Sequence, residues 1–195
     1  MIEKALTNPA IVALLAPRGY DEAELKAGLV LCQAAQKAFN LRQNSLGSVS
    51  EAKKARDAAW ETARDEFVEY RSTVQAKYED APTRRALGAA GKVSRDLQKF
   101  VTQATAAYEA GQQPPFAGPL AKRSFTPARM AAALAGLETL TKLDNDFAAA
   151  GGESGGFVED RDGAMAKMRT WLREFRANAI LALKKNPGYR AGLGL

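Results

Sequence analysis

The residues whose types and spacing could do chemistry are three charged positions that occur twice. Asp57, Arg64 and Arg71 stand seven residues apart, and Asp162, Arg169 and Arg176 repeat the spacing 105 positions later. Trp60, Ala63, Phe67, Tyr70 and Val74 follow a three-four apolar spacing, the seam of packed antiparallel helices. With that seam at heptad positions a and d, all six charged residues fall at e, beside a neighbouring helix. Interhelical ion pairs there contribute about 0–1 kcal/mol each when exposed. A sharper reading is a small anion site of converging arginines, since guanidinium groups bind anions through charge-assisted hydrogen bonds. In an antiparallel arrangement Arg71 faces Asp162 and Arg176 faces Asp57, and Arg64 meets Arg169. These four arginines are the candidate contacts for an anion or an acidic partner.

Other chemistry finds little support. With no histidine, the chain lacks Ser-His and Cys-His nucleophile pairs and histidine-containing zinc or di-iron sites. Asp144-Asn145-Asp146 begins like a calcium loop, without the later glycine and glutamate. Glu159, Asp160 and Asp162 read as acids favouring a helix N-terminus. Gly88-Ala89-Ala90-Gly91-Lys92-Val93-Ser94 lacks the first glycine and the final hydroxyl of a phosphate loop and follows no strand. It reads as a linker into a helix. The one cysteine, Cys32, lies on an apolar stripe and reads as a buried thiol. These residues imply no enzyme, no cofactor and no metal.

The elements that must position the arginines are helical. Asn8-Pro9 caps a short helix to Leu15, which Pro17 and Gly19 end. Asp21 and Glu24 have the spacing of a capping box. They open a helix carrying Leu25, Leu29, Cys32, Ala35 and Phe39, which the loop Asn44–Ser48 breaks. Ser50 caps a long helix to about Asp80. A connecting helix spans 92–110, with Gly111 at its end, before the stiff segment Gln112–Pro119. Thr126-Pro127 caps the next helix, the glycine-rich loop Gly151–Gly156 interrupts it, and a last helix runs from about Val158 to Lys185. No segment alternates with period two.

The chain also contains itself twice. Residues 20–87 lie on 125–192 at an offset of 105, with the apolar seam kept in both copies. Each copy reads as helix, glycine-containing loop, longer helix and proline stop. The expected fold is all-α: an up-and-down bundle of about five long helices from a duplicated antiparallel hairpin, with a short N-terminal helix, in one domain over 1–195.

Composition bounds the partners. The chain has 195 residues, a net charge of +6 and a pI near 9.5. Eight basic residues against four acids lie between Val158 and Leu195, which makes nucleic acid a conceivable partner. No apolar run is long enough to span a bilayer and the start lacks a signal-peptide core, so a cytoplasmic location is expected. The stretch Ala5 to Pro9 through Leu14 to Asp21, and the Leu-Gly endings after Pro82 and Pro187, resemble uncharacterised bacterial helical-hairpin proteins. That resemblance implies a fold and no activity. The resulting expectation is a non-enzymatic structural or protein-interaction bundle, self-associating or bound to another protein. A nucleic-acid-associated protein using the basic C-terminal helix is the alternative.

Overall fold

The computed structural model describes residues 1–195 and contains helices only, with no strand. In chain order these are α1 (Ile2–Leu6), α2 (Pro9–Leu15), a 3-10 turn (Ala16–Arg18), α3 (Glu22–Lys77), α4 (Ala81–Ala86), α5 (Leu97–Gly111), α6 (Ala117–Ala121), α7 (Pro127–Ala182) and α8 (Pro187–Leu193). Several expected caps form. Backbone N–H groups of Ala10, Glu24 and Arg129 donate to the side chains of Asn8, Asp21 and Thr126 at 3.1, 2.8 and 3.2 Å. The connecting helix starts later than 92 because Asp96 is its cap, accepting from the Lys99 N–H at 2.9 Å. Such caps satisfy N–H groups that a helix start leaves without partners.

The largest departure from the sequence expectation is that α3 and α7 are each one continuous helix of 56 residues. The loops expected at 44–48 and 151–156 are helical, and Ser50 lies inside α3. Where two hairpins were expected there are two single long helices, and the five long helices reduce to two with the shorter α5. The heptad explains why. Its a positions run without a phase break through Leu25, Cys32, Phe39, Leu46, Lys53, Trp60, Phe67 and Val74. In α7 they run through Met130, Leu137, Asp144, Gly151, Val158, Met165, Leu172 and Ala179. Glycine in a helix interior costs about 1 kcal/mol relative to alanine, but it does not break the helix as proline does. Neither helix has a proline beyond its first residue.

The chain divides into two compact units. Unit 1 comprises Met1–Gly47 with Gly152–Leu195, and unit 2 comprises Ser48–Gly151. Each combines the start of one long helix with the end of the other. Unit 1 buries Leu25, Phe175, Ala179 and Leu183 with Ile2, Ala5, Ile11 and Leu15 of the N-terminal helices and Leu193 of α8. Unit 2 buries Phe67, Tyr70, Val74, Met130, Leu137 and Leu140 with Phe100, Ala104 and Tyr108 of α5, Leu87 and Leu120. Burying such side chains contributes about 1.5–3 kcal/mol each relative to exposure.

Local geometry in one unit recurs in the other. The Tyr20 N–H donates to Leu15 O at 3.3 Å, and the Phe125 N–H donates to Leu120 O at 3.1 Å. Just before them Gly19 and Ser124 take φ of 82° and 72°. A serine tolerates this left-handed turn less readily than glycine. After α4 and α8 the Ala89 N–H reaches Arg84 O at 2.7 Å and the Leu195 N–H reaches Arg190 O at 3.2 Å, beside Gly88 and Gly194, both at positive φ.

Gly111 does not end a helix by turning it. A Cβ there would lie 2.7 Å from the Tyr70 hydroxyl and 3.0 Å from the Met130 sulfur. The missing side chain lets α5 lie against α3, where the Tyr70 hydroxyl donates to Ala107 O at 2.8 Å.

Candidate functional site

In unit 2 the antiparallel pairing of α3 with α7 leaves a groove of about 440 Å³. Its walls are small because the facing residues are Ala59 and Ala63 of α3 with Ala132, Ala133 and Gly136 of α7. Arg129, Glu66 and Tyr108 also line it. Arg129 Nε and Nη2 donate to the two Glu66 carboxylate oxygens at 2.7 and 2.9 Å, and Nη2 also donates to Glu69 at 2.7 Å. The guanidinium lies 4.1 Å from the Phe125 ring centre. Its bonds to Glu66 and then Glu69 hold its pKa above the usual arginine range. The bond from Arg129 holds the Glu69 carboxyl below its ordinary value.

Tyr108 is 1% exposed, and its hydroxyl has no hydrogen-bond partner. Burial pushes the phenol well above its ordinary range, and the Glu66 charge adds to the shift. A buried hydroxyl with no partner costs free energy that a hydrogen-bonded one does not.

The arrangement in unit 1 differs. Trp171 stands at the repeat position of Glu66, and Glu24 at that of Arg129. The Trp171 indole N–H donates to the Glu24 carboxylate at 2.6 Å. Its ring stacks on Phe175 with centres 5.1 Å apart and meets Tyr20 edge-on at 5.7 Å. Gly28 makes room for it, since a Cβ at that position would overlap the indole. A second hollow, lined by Met1, Ile2, Leu29, Cys32, Leu172 and Arg176, also belongs to this unit. Burial raises the Cys32 thiol pKa, which keeps it protonated and a poor nucleophile.

The candidate arginines take separate roles. Arg64 and Arg71 belong to unit 2, and Arg169 and Arg176 to unit 1. Arg64, Arg169 and Arg176 are exposed. Arg71 is buried, and its Nη2 donates to Ala89 O and Gly91 O at 3.2 and 2.6 Å. Gln75 also donates to Ala89 O, at 2.8 Å. Arg71 is thus a strut holding the irregular segment between α4 and α5. Desolvation lowers its pKa from the ordinary arginine value. Asp57 pairs with Lys53 and Arg56, and Asp162 with Arg161, all on their own helices.

Polar side chains also enter the seam. In unit 1 Arg42 donates to Ser154, and the Ser45 and Ser154 hydroxyl oxygens lie 3.3 Å apart. In unit 2 Arg56 lies 4.3 Å from the Phe147 ring centre and 3.8 Å from Asp144. These residues keep the helices paired where the apolar sequence signal weakens.

Reading the repeat for local charges misses Tyr108, Glu66 and Arg129 as one set. The available signal was the pair of changes at repeat-related positions, Glu24 against Arg129 and Trp171 against Glu66. No three histidine, cysteine, aspartate or glutamate side chains form a group able to hold a metal ion. No helix is long and apolar enough to cross a membrane. No family model, curated protein or solved structure matches this chain.

Proposed function

We propose that the chain is a non-enzymatic helical interaction module whose partner is another helical surface, in the first instance a second copy. The observation carrying this reading is at the seam of unit 1. Phe39 and Leu46, at successive a positions of α3, are 42% and 44% exposed. The a position Leu25 before them is fully buried. Large apolar groups at seam positions gain free energy when another helix covers them. Nearby Leu41 and Val30 are also exposed and extend the apolar character of the helix. The recurrence of entry turns, long-helix bounds and exit turns supports descent from one repeated helix-and-cap element. In that account the second copy diverged while its packing role persisted.

The test is molar mass by light scattering across a concentration series. The parent chain should form a defined oligomer, and Phe39→Gln with Leu46→Gln should return it to the monomer with its helix content intact. A monomeric parent at high concentration would overturn self-association. A second reading is nucleic-acid association, supported by Lys77, Lys122 and Arg123 around one hollow of unit 2 whose lining contains no carboxylate. That reading requires affinity for DNA or RNA to fall steeply with salt, because phosphate contacts release counterions.

A further inference from the structure

Three cations of unit 2 are brought to one place by the packing around them. Lys77 is the last residue of α3, and Lys122 and Arg123 lie between α6 and α7. Tyr78, next to Lys77, meets the Phe116 ring edge-on with centres 5.8 Å apart, which ties the end of α3 to the segment entering α6. Leu120 and Phe125 are fully buried on either side of Lys122 and Arg123, and the Phe125 N–H donates to Leu120 O at 3.1 Å. This closed turn leaves the two basic side chains exposed beside a hollow of about 440 Å³, which they line with Lys77, Gly118 and Pro119.

The charges there are unbalanced. None of Lys77, Lys122 and Arg123 forms an ion pair, and no carboxylate lines the hollow. The next cation along the chain, Arg129, is by contrast bonded to both Glu66 and Glu69. Like charges held together repel, and a bound anion relieves them. In unit 1 the related positions are Ala182, Pro17 and Arg18, so the cluster belongs to unit 2 alone. A guanidinium presents a fork that matches two oxygens of a phosphoryl group, and an ammonium adds a point charge. Three cations around a hollow of small-molecule size match an anion with more charge and bulk than one phosphate. We propose that this hollow binds a small oxyanion of the pyrophosphate class, held by Arg123, Lys122 and Lys77. The site shares its cations with the nucleic-acid reading and rests on that reading's phosphate chemistry, without a polymer. It lies in unit 2, whereas Phe39 and Leu46 of the self-association face belong to unit 1.

The experiment is calorimetric titration of the full chain with inorganic pyrophosphate and with sulfate, at ionic strength fixed by sodium chloride. Pyrophosphate should bind saturably and at least about tenfold more tightly than sulfate, as added charge-assisted contacts predict. Lys122→Gln with Arg123→Gln should weaken pyrophosphate binding by at least about tenfold. This double variant should melt as the parent does, since both side chains are exposed. Lys184→Gln with Lys185→Gln, at exposed positions of unit 1, removes the same charge and should leave binding unchanged. Absence of saturable pyrophosphate binding to the parent would overturn the proposal, even where a DNA or RNA oligonucleotide binds. Equal weakening in the two double variants would also overturn it, because attraction would then follow net charge and not this hollow. Pyrophosphate binding without oligonucleotide binding would remove the nucleic-acid reading and keep the site.

Discussion

Unit 1 and unit 2 use the same helix plan and complete it differently. In unit 1 Trp171 fills the space between the long helices, with Gly28 making room and Glu24 holding the ring nitrogen. In unit 2 the related positions form the Glu66–Arg129 ion pair beside an open groove, and the extra helix α5 supplies the core. Phe67, Phe100, Tyr108 and Tyr70 pack there with ring centres 5.0–6.2 Å apart. The difference teaches that a repeated seam specifies where two helices meet. Side chains beside that seam decide whether the space becomes core or open groove.

The strongest way to break this comparison is to cut equivalent seam positions. Phe67→Ala removes a fully buried ring from unit 2 and should cost about 3–5 kcal/mol. Leu172→Ala, at the related position in unit 1, removes a half-buried side chain beside a hollow and should cost about 1–2 kcal/mol. The chain has two tryptophans, Trp60 in unit 2 and Trp171 in unit 1, so single-tryptophan variants report each unit in denaturant melts. Equal losses would mean that the units do not differ in packing as described.

The next effect distinguishes continuous helices from hairpins. Cβ atoms added at Gly151, Gly152, Gly155 and Gly156 would meet nothing within 4 Å. Replacing all four by alanine should stabilise the chain by about 2–4 kcal/mol, from helix propensity near 1 kcal/mol per site. Urea melts with circular dichroism provide the check. A loss of stability and helix content would restore the loop expected from the sequence.

A smaller effect separates the two repeat-related arginines. Removing the Arg71 head group leaves Ala89 O and Gly91 O without these bonds, so Arg71→Met should cost about 1–3 kcal/mol. Arg176→Met, at an exposed position, should change stability by no more than about 0.5 kcal/mol. Equal values in equilibrium unfolding would show that the Arg71 strut has no special role.

Helical class, several caps and most of the buried seam follow from periodicity and side-chain chemistry. Phe67, Tyr70, Val74, Leu25 and Ala35 lie on their helices as the apolar spacing requires. The continuity of α3 and α7 was obscured by polar residues at Arg42, Arg56, Asp144 and Ser154, which interrupt hydrophobicity without changing heptad phase. Glycine weakens a helix but cannot reveal by itself whether neighbouring packing preserves it. The backbone contacts of Arg71 were missed for a related reason. Heptad letters locate a residue on its own helix, whereas its partner depends on which segments of the long helices pair. Tyr108 was hidden further because α5 stands outside the repeat and brings its phenol to the groove only through tertiary packing.

The smallest effect tests the charge difference between the units. Glu69 bonds Arg129 in unit 2, while the related pair in unit 1, Glu174 and Glu24, are both acidic. The Arg129 bond lowers the Glu69 pKa in the folded chain. Its stabilising contribution is therefore present above the unfolded glutamate value, about 4.3, and is lost as pH falls through the lower folded value. Acid titration should lower the stability reported by Trp60 slightly more than that reported by Trp171. Glu69→Gln should remove part of that difference while leaving the Trp171 response unchanged, since Glu69 belongs to unit 2. Exposed ion pairs contribute little because solvent screens them, so the change should stay well below that of Arg71→Met. An identical acid response at Trp60 in the parent and Glu69→Gln chains would remove this bond from the differences between the units.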